Sequence, residues 1–333
     1  MPDKRNALID VTRVAAAAGI ILCHVDLTGS GAVDTLFRQF LSARFSLMFF
    51  LAVIGFYLEK SFLQGKSPVR KRVGALARVY GAWSLVYLVL SFVLLVVVQK
   101  TPLWQYLAGR VESFFLSGSY YHFWFYPAVI YALLLIGGVR RLLGGRALRL
   151  LLPLAVMLYA VGLFGTGYLP LGRQLPGLSA LYALESFEAI MHLALLGFPS
   201  IVFGMAAAHG SKRRPGRTVL LAAAAYVAES VLLCLLLGWR EDPQMLLTTP
   251  LLTVLYLQWA QHSALPTGKV NAPLLRTISA GMYNIHPLVL GAFAIVLPGM
   301  NALAAFLLCT ACSALAGWML YRWRNIRLIS WFI

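Results

Sequence analysis

The chain has 333 residues, of which 60% are hydrophobic and only 12% are charged, and its mean hydropathy is +0.79. This composition excludes an ordinary soluble domain, in which about a quarter of the residues are charged, and indicates an integral membrane protein. The formal net charge of +17 would suggest a nucleic-acid partner in a soluble domain, but here the basic residues fall on alternate loops, so we expect no nucleic acid and interpret the charge as a signal of membrane orientation.

Long apolar stretches separated by short charged blocks predict a bundle of transmembrane helices and not an outer-membrane barrel, whose strands alternate polar and apolar residues. Windows of about 20 apolar residues predict ten spans. They lie near residues 8–25, 42–59, 79–98, 121–139, 149–167, 188–208, 218–238, 245–263, 278–297 and 302–321. We therefore predict an all-α polytopic membrane protein with a single domain over residues 1–333.

The distribution of basic residues predicts the orientation of these spans. Most Lys and Arg lie in the segments 60–78, 140–148, 209–217, 264–277 and 322–333, whereas the loops 26–41, 99–120, 168–187, 239–244 and 298–301 are poor in them. Because basic loops stay in the cytoplasm, we predict that both termini are cytoplasmic. Residues 1–6 form a short polar lead without a small-residue cleavage site, so we expect the first span to be retained. The aromatic residues within 99–120 are typical of an interfacial re-entrant segment or an amphipathic segment.

The first span carries the most informative polar residues. Arg13 and His24 are eleven residues apart in an apolar run. On an α-helix this spacing advances about 16 Å and rotates about 1100°, close to three whole turns, so the two side chains share one face. Placing a charged side chain inside a membrane span costs free energy, so such residues usually face a cavity or a partner. We therefore predict that Arg13, toward the cytoplasm, and His24, toward the outer leaflet, face one interior passage.

Asp10 lies three residues before Arg13, where its carboxylate can neutralise and orient the guanidinium. The alternative is a self-compensating pair at the inner interface, which would leave His24 without a role. A neutral imidazole can accept a proton from a hydroxyl group, so His24 is the candidate general base. Its alternative role is a hydrogen bond to a neighbouring helix.

Three other polar features each leave two interpretations open. His122 opens the fourth span within an aromatic belt, either as an interfacial anchor or as part of an acceptor site. His286 precedes Pro287 inside the ninth span, where a freed backbone carbonyl favours a packed polar cluster and a functional role is also possible. The basic run 66–78 could bind phosphates or only mark the cytoplasmic side.

The remaining polar and cysteine residues within the spans are less specific. Glu188 and His192 are spaced i,i+4 and can pair, while Glu229 stands amid Ala and Leu; all are candidate lining residues. All the cysteines lie in apolar runs, at Cys23, Cys234, Cys309 and Cys312. We therefore expect neither a disulfide framework nor a metal site.

Several motifs resemble the acyltransferase 3 family of bacterial membrane acyltransferases, which have ten core helices. The similar segments are Asp10-x-x-Arg13-x10-His24 in the first span, residues 50–56, which resemble the family's FFxxSGF stretch, and Tyr283-x-x-His286-Pro287 in the ninth span. Residues 71–83 and 121–125 are most similar to the membrane domain of the vancomycin-resistance serine racemases, a branch of the same family.

The resemblance implies transfer of an acyl group, commonly acetyl, from cytoplasmic acyl-CoA (acetyl-CoA) to a hydroxyl group. The acceptor would be a cell-envelope glycan or a related small molecule at the outer face of the bacterial inner membrane. His24 would then be the general base, with Arg13 and its partner Asp10 near the cytoplasmic entry of the donor path.

The resemblance also implies binding residues. The candidates for the donor phosphates are Lys71, Arg72 and Arg78. The candidates for the acceptor are His122, Trp124, Tyr283 and His286. This chain departs from the family pattern at Ile54, where the family has a serine, and at Ala75, which leaves the Arg-x-x-Arg pair of the third span incomplete.

A transporter or exporter of a small polar molecule, such as an amino acid, is the alternative function. Charges inside the spans and the similarity to the racemase membrane domain suggest it. The sequence shows no evident pair of broken helices in two related halves, from which many transporters build their binding site.

Overall fold

The computed structural model describes residues 6–25, 35–210, 216–236, 244–263 and 271–333. This part of the chain is helical and contains no β-strand. Seven of its helical segments are long and apolar enough to cross a membrane. The protein is therefore a polytopic α-helical membrane protein, as its composition predicts. Parts of the loops predicted at 26–41, 209–217, 239–244 and 264–277 lie outside the described residues.

The principal helices of the described chain are numbered α1 to α11. Their bounds are α1 Ala7–Leu22, α2 Leu36–Leu63, α3 Val69–Phe92, α4 Leu103–Leu116, α5 Phe125–Leu143, α6 Ala147–Gly165, α7 Phe187–Ala207, α8 Gly216–Leu236, α9 Thr248–Ala260, α10 Ala272–Val296 and α11 Ala302–Arg322. Turns of π-helix occur within α2 at Leu36–Arg44, after α3 at Val93–Val98, and within α7 at Met191–Gly197. Short helical turns follow α6 at Leu169–Gly172 and Leu178–Tyr182, and follow α11 at Ile329–Phe332.

Each predicted window overlaps one of these helices, but the lengths of several observed helices differ from those of the windows. The windows 121–139 and 149–167 correspond to α5 and α6, which form one apolar segment, Phe125–Gly165, interrupted at Gly144–Arg146. The helices α1 and α9 have 16 and 13 residues, fewer than the ~20 that a straight helix needs to cross the hydrocarbon core.

The first helix ends earlier than the predicted window 8–25. Leu22 is its last helical residue, and after the Cys23 N–H, which still bonds Gly19, two backbone N–H groups bond three residues back: His24 to Ile21 at 3.1 Å and Val25 to Leu22 at 3.2 Å. Tightening of this kind satisfies carbonyl groups at a helix end. His24 therefore lies in the turn after α1 and not on the helix itself, which corrects the predicted extent of the span.

The segment predicted at 99–120 contains α4, which has the two-sided character that its aromatic residues predict. Tyr106 is buried, and its hydroxyl donates to the Leu88 carbonyl of α3 at 2.8 Å. On the other side Trp104 is 73% exposed and Phe115 is 55% exposed. A helix with one packed and one exposed aromatic side suits the membrane interface.

The helices α2 and α7 are in backbone contact at two glycines. A Cβ atom on Gly55 would lie 1.8 Å from the Ile201 carbonyl oxygen, and one on Gly204 would lie 1.8 Å from that of Ala52. Small residues at such crossings allow two helices to approach closely within a membrane. This crossing fixes α2, which contributes Ile54 and other side chains to the cavities described below.

Glu229 of α8 holds the beginning of α9. Its carboxylate accepts hydrogen bonds from the backbone N–H groups of Leu247 at 2.7 Å and Thr248 at 2.8 Å, and from the Tyr168 hydroxyl at 2.7 Å. A carboxylate at a helix N-terminus satisfies N–H groups that lack intrahelical partners. The contacts of Glu229 therefore assign it a structural role and not the cavity-lining role suggested by its sequence position.

Candidate functional site

Arg13 and Asp10 form the ion pair that their spacing predicts. Arg13 Nη1 lies 3.1 Å from Asp10 Oδ1, and Asp10 is 1% exposed. The Arg13 guanidinium also lies 5.7 Å from the centre of the Tyr57 ring of α2. The pair is thus packed against a neighbouring helix inside the bundle.

An inner cavity of about 310 Å³ surrounds this pair. Besides Asp10 and Arg13, it is lined by Tyr57 and by two further arginines, Arg72 of α3 and Arg276 of α10. The part of this lining that the structure describes therefore contains three guanidinium groups and one carboxylate. A cavity with this excess of positive charge favours phosphate and other anionic groups, which arginine binds through paired N–H donors.

The structure separates the three residues that the resemblance assigns to donor binding. Arg72 lines the inner cavity and also donates to the Tyr57 carbonyl at 2.7 Å and to Ser61 Oγ at 2.9 Å. Lys71 and Arg78 are exposed and lie outside the inner cavity. Of the three, Arg72 alone has the position expected of a residue in this cavity.

Arg276 is the residue that sequence reasoning missed at this end. It was assigned to the loop 264–277, but α10 begins at Ala272 and carries Arg276 in its second turn. Its Nε donates to the Ala272 carbonyl at 3.1 Å, and among the described residues no carboxylate lies within ion-pair distance of it. The signal was present: Asn271 caps the helix and is followed by Pro273 in the first turn, a pattern typical of a helix start.

A middle cavity of about 320 Å³ adjoins the inner one. The two share Arg13, Arg276 and Ala75 as lining residues, together with Ile54. Beyond these residues the middle cavity is mostly apolar, with lining side chains such as Phe50. The two departures from the family pattern, Ile54 and Ala75, therefore both lie where the charged cavity meets the apolar one.

An outer cavity of about 280 Å³ adjoins the middle one, and the two share Leu47 and Tyr283 as lining residues. His24, His122 and Trp124 line it. The side chain of His24 is exposed, so its imidazole is accessible from this cavity. Arg13 and His24 thus lie at opposite parts of one row of three adjoining cavities.

Three imidazoles meet beside the outer cavity. The His286 ring centre lies 5.2 Å from that of His24 and 5.3 Å from that of His122. His286 is fully buried, and its Nδ1 lies 3.0 Å from the Met282 carbonyl oxygen. Because a carbonyl oxygen can only accept a hydrogen bond, this contact requires that Nδ1 carries a proton. His286 therefore packs behind His24, and of the four acceptor candidates it is the one without surface for a substrate.

The other acceptor candidates are held by their neighbours. The Tyr283 hydroxyl donates to the His122 carbonyl, which fixes the two residues relative to each other. The Trp124 ring stacks on the His192 ring, with centres 4.1 Å apart and planes 7° apart. These contacts give the outer cavity flat aromatic walls.

Arg44 also lines the outer cavity, which its position in the sequence did not indicate. Arg44 is 5% exposed, and its Nη1 donates to Gln244 Oε1 at 3.1 Å. Both residues line the outer cavity, with Glu188 and His192, which sequence spacing had suggested as lining residues. Arg44 lies in the π-helical turn of α2, inside the predicted window 42–59, and only the packing of α2 shows that it lines this cavity.

Comparison with known proteins identifies the family of the chain. The sequence model of the acyltransferase 3 family, described as an acyltransferase domain, matches residues 6–323. No curated protein and no solved structure gives a match. The matched range includes every helix that contributes to the three cavities.

Proposed function

Because the chain belongs to the acyltransferase 3 family, we propose that it is a membrane O-acyltransferase that moves an acetyl or related acyl group from acyl-CoA to a hydroxyl group. The donor would bind from the cytoplasm. The acceptor would be a cell-envelope glycan or a related small hydroxyl compound at the outer face. The observation that carries this proposal is the row of three cavities, which is cationic at one end and lined by histidine at the other.

The inner cavity suits the phosphates of the donor. Acyl-CoA carries its negative charges at the nucleotide end and its thioester at the end of a long neutral arm. Arg72 and Arg276 would bind phosphate oxygens, while Asp10 keeps Arg13 oriented toward the junction with the middle cavity. The apolar middle cavity would then hold the neutral arm.

Acyl transfer requires a base that takes the proton of the attacking hydroxyl, and a thioester carbonyl that the hydroxyl oxygen attacks. In the proposed step the acceptor hydroxyl oxygen attacks the thioester carbon, the new C–O bond forms, and the C–S bond breaks. His24 takes the hydroxyl proton, which is then returned to the departing sulfur, so that the products are the ester and free CoA. His286, packed against His24, is a positioning residue that holds the imidazole in the outer cavity.

The proposed orientation follows from the charges. We propose ten spans, formed by all principal helices except α4, with both termini in the cytoplasm of a bacterial cell and the protein in its inner membrane. The short helices α1 and α9 each pack against several other helices, and irregular backbone at membrane depth is tolerated where protein buries it. In this orientation the inner cavity opens toward the cytoplasm and the outer cavity toward the envelope.

Replacing Arg276 with glutamine tests donor binding. We expect the Kd for CoA to rise about tenfold or more, because one hydrogen bond to a charged group contributes roughly 1.5–3 kcal/mol and each 1.4 kcal/mol corresponds to a factor of ten. The measurement is isothermal titration calorimetry of CoA into purified protein. Arg78→Gln, which changes an exposed arginine outside the inner cavity, is the matched control and should leave the Kd unchanged. Wild-type protein that binds neither CoA nor acetyl-CoA would contradict the proposed function.

A further inference from the structure

A separate groove lies between the beginning of α3 and the end of α5. It has a volume of about 900 Å³ and is named here the basic groove. Its cationic lining residues are Lys66, Arg70, Arg140 and Arg141. Among the described residues that line it, none is acidic. The groove is thus a strongly positive surface feature that the proposed transfer reaction does not use.

The other side of the basic groove is apolar. Phe62, Val69 and Val73 form its wall, and Leu134, which is 51% exposed, continues this wall onto the outer surface of the bundle. Two lining glycines, Gly74 and Gly138, have no atom within 4 Å of the position of a Cβ. The groove therefore combines a positive edge with an open apolar floor.

One of the four cations is held in place by the protein. Arg140 Nη1 lies 3.5 Å from Glu59 Oε1, and its guanidinium lies 4.9 Å from the centre of the Phe62 ring. The other three, Lys66, Arg70 and Arg141, are exposed. The groove thus keeps a net excess of positive charge after this ion pair is taken into account.

The basic groove is distinct from the donor path. It shares no lining residue with the inner cavity. On α3, Arg72 and Leu76 face the inner cavity, whereas Arg70 and Val73 line the groove. A ligand in the groove would therefore lie on the other side of the helix that contributes Arg72 to the donor site.

We propose that the basic groove binds an anionic phospholipid, with the phosphate at Lys66, Arg70 and Arg141 and an acyl chain along the Phe62 and Val73 wall. Clustered basic side chains between helices at a membrane surface favour lipid phosphate groups. A soluble phosphate compound would use the charged edge but would leave the apolar wall exposed to water. The continuity with exposed Leu134 on the surface of the bundle places the wall where lipid chains lie.

The test measures lipid binding to purified full-length protein by native mass spectrometry, with phosphatidylglycerol as the anionic probe and phosphatidylethanolamine as the zwitterionic probe. Wild type should prefer phosphatidylglycerol at least tenfold. Gly138→Leu, which fills the open floor, and the double variant Arg70→Gln with Arg141→Gln should each reduce this binding at least tenfold. Gly81→Leu is the matched control, because Gly81 of α3 also has open space around its Cβ position but does not line the groove. It should bind the lipid like wild type.

Two further measurements distinguish the source of the phosphate. The Kd for CoA should be the same in wild type and Gly138→Leu, which also shows that the variant is folded, and neither CoA nor inorganic phosphate should displace the lipid. Displacement by CoA would assign the groove to a nucleotide and overturn the proposal. Equal binding of the two lipids, or phosphatidylglycerol binding that both groove variants retain, would also overturn it.

Discussion

Replacing His24 with alanine should reduce acyl transfer about 10²–10⁴-fold, the range that a positioned general base contributes. The accessible imidazole of His24 lies at the histidine end of the cavity row, and no other described histidine both lines the outer cavity and is exposed. Without it, the attacking hydroxyl has no base to take its proton. The measurement is the release of CoA from acetyl-CoA by purified protein in the presence of a hydroxyl acceptor from an envelope extract.

Two controls make the His24 result specific. His24→Ala should bind CoA with wild-type affinity, because the cationic inner cavity is intact. His262→Ala changes an exposed histidine, whose Nε2 lies 3.3 Å from the Gly210 carbonyl and which lies outside the three cavities, so its transfer rate should be unchanged. Acyl transfer by His24→Ala at the wild-type rate would rule out the proposed base.

Replacing Gly204 with valine should prevent stable folding. Its Cβ would lie 1.8 Å from the Ala52 carbonyl oxygen, and Gly55 approaches Ile201 equally closely, so the whole α2–α7 crossing would have to separate to admit the side chain. A clash with backbone in a packed core cannot be relieved by a rotamer change, so we expect a loss of about 4 kcal/mol or more. The measurement is the yield of monodisperse protein in size-exclusion chromatography, followed by thermal unfolding.

Gly291→Val is the matched control for this prediction. Gly291 lies in α10, and no atom is within 4 Å of the position of its Cβ, so the same substitution there changes helix propensity without a clash. Gly291→Val should give nearly wild-type yield. Comparable yields and unfolding temperatures for Gly204→Val and wild type would show that the α2–α7 crossing is looser than described.

The sequence predicts the helices better than their ends. Apolar windows locate every principal helix except α4, because long hydrophobic runs must be helical in a bilayer. The end of α1 at Leu22 and the start of α10 at Ala272 depend instead on local capping and tertiary packing. The predicted start of α10 was too late in the chain, so Arg276 was placed in a loop and was not recognised as a candidate donor-site residue.

Sequence spacing identifies part of the site and misses the rest for a physical reason. Arg13 and His24 lie eleven residues apart in one short stretch of chain, so sequence spacing could relate them, although His24 falls in the turn after α1. Arg44 and Arg276 belong to other helices, α2 and α10, so only the packing of those helices brings Arg44 to the outer cavity and Arg276 to the inner one. His286, which the sequence allowed either in a packed polar cluster or at the acceptor site, lies buried behind His24.

The family match supports the acyltransferase interpretation, and no comparison supports the transporter alternative. The departures at Ile54 and Ala75 lie at the junction of the inner and middle cavities, where Arg276 also lies. At this junction α3 contributes Ala75, and the guanidinium comes from Arg276 of α10.

In the proposed reaction the neutral arm of the donor passes through the middle cavity to reach His24, so a bulky side chain in that cavity should prevent transfer. Ala280 lines the middle cavity and is not among the residues of the other two, so Ala280→Trp should obstruct the path without changing either end. Ala225→Trp, at an exposed position of α8 outside the three cavities, is the control. We predict that Ala280→Trp binds CoA with wild-type affinity but transfers the acyl group at least a hundredfold more slowly, whereas unchanged transfer by that variant would show that the acyl group does not pass through the middle cavity.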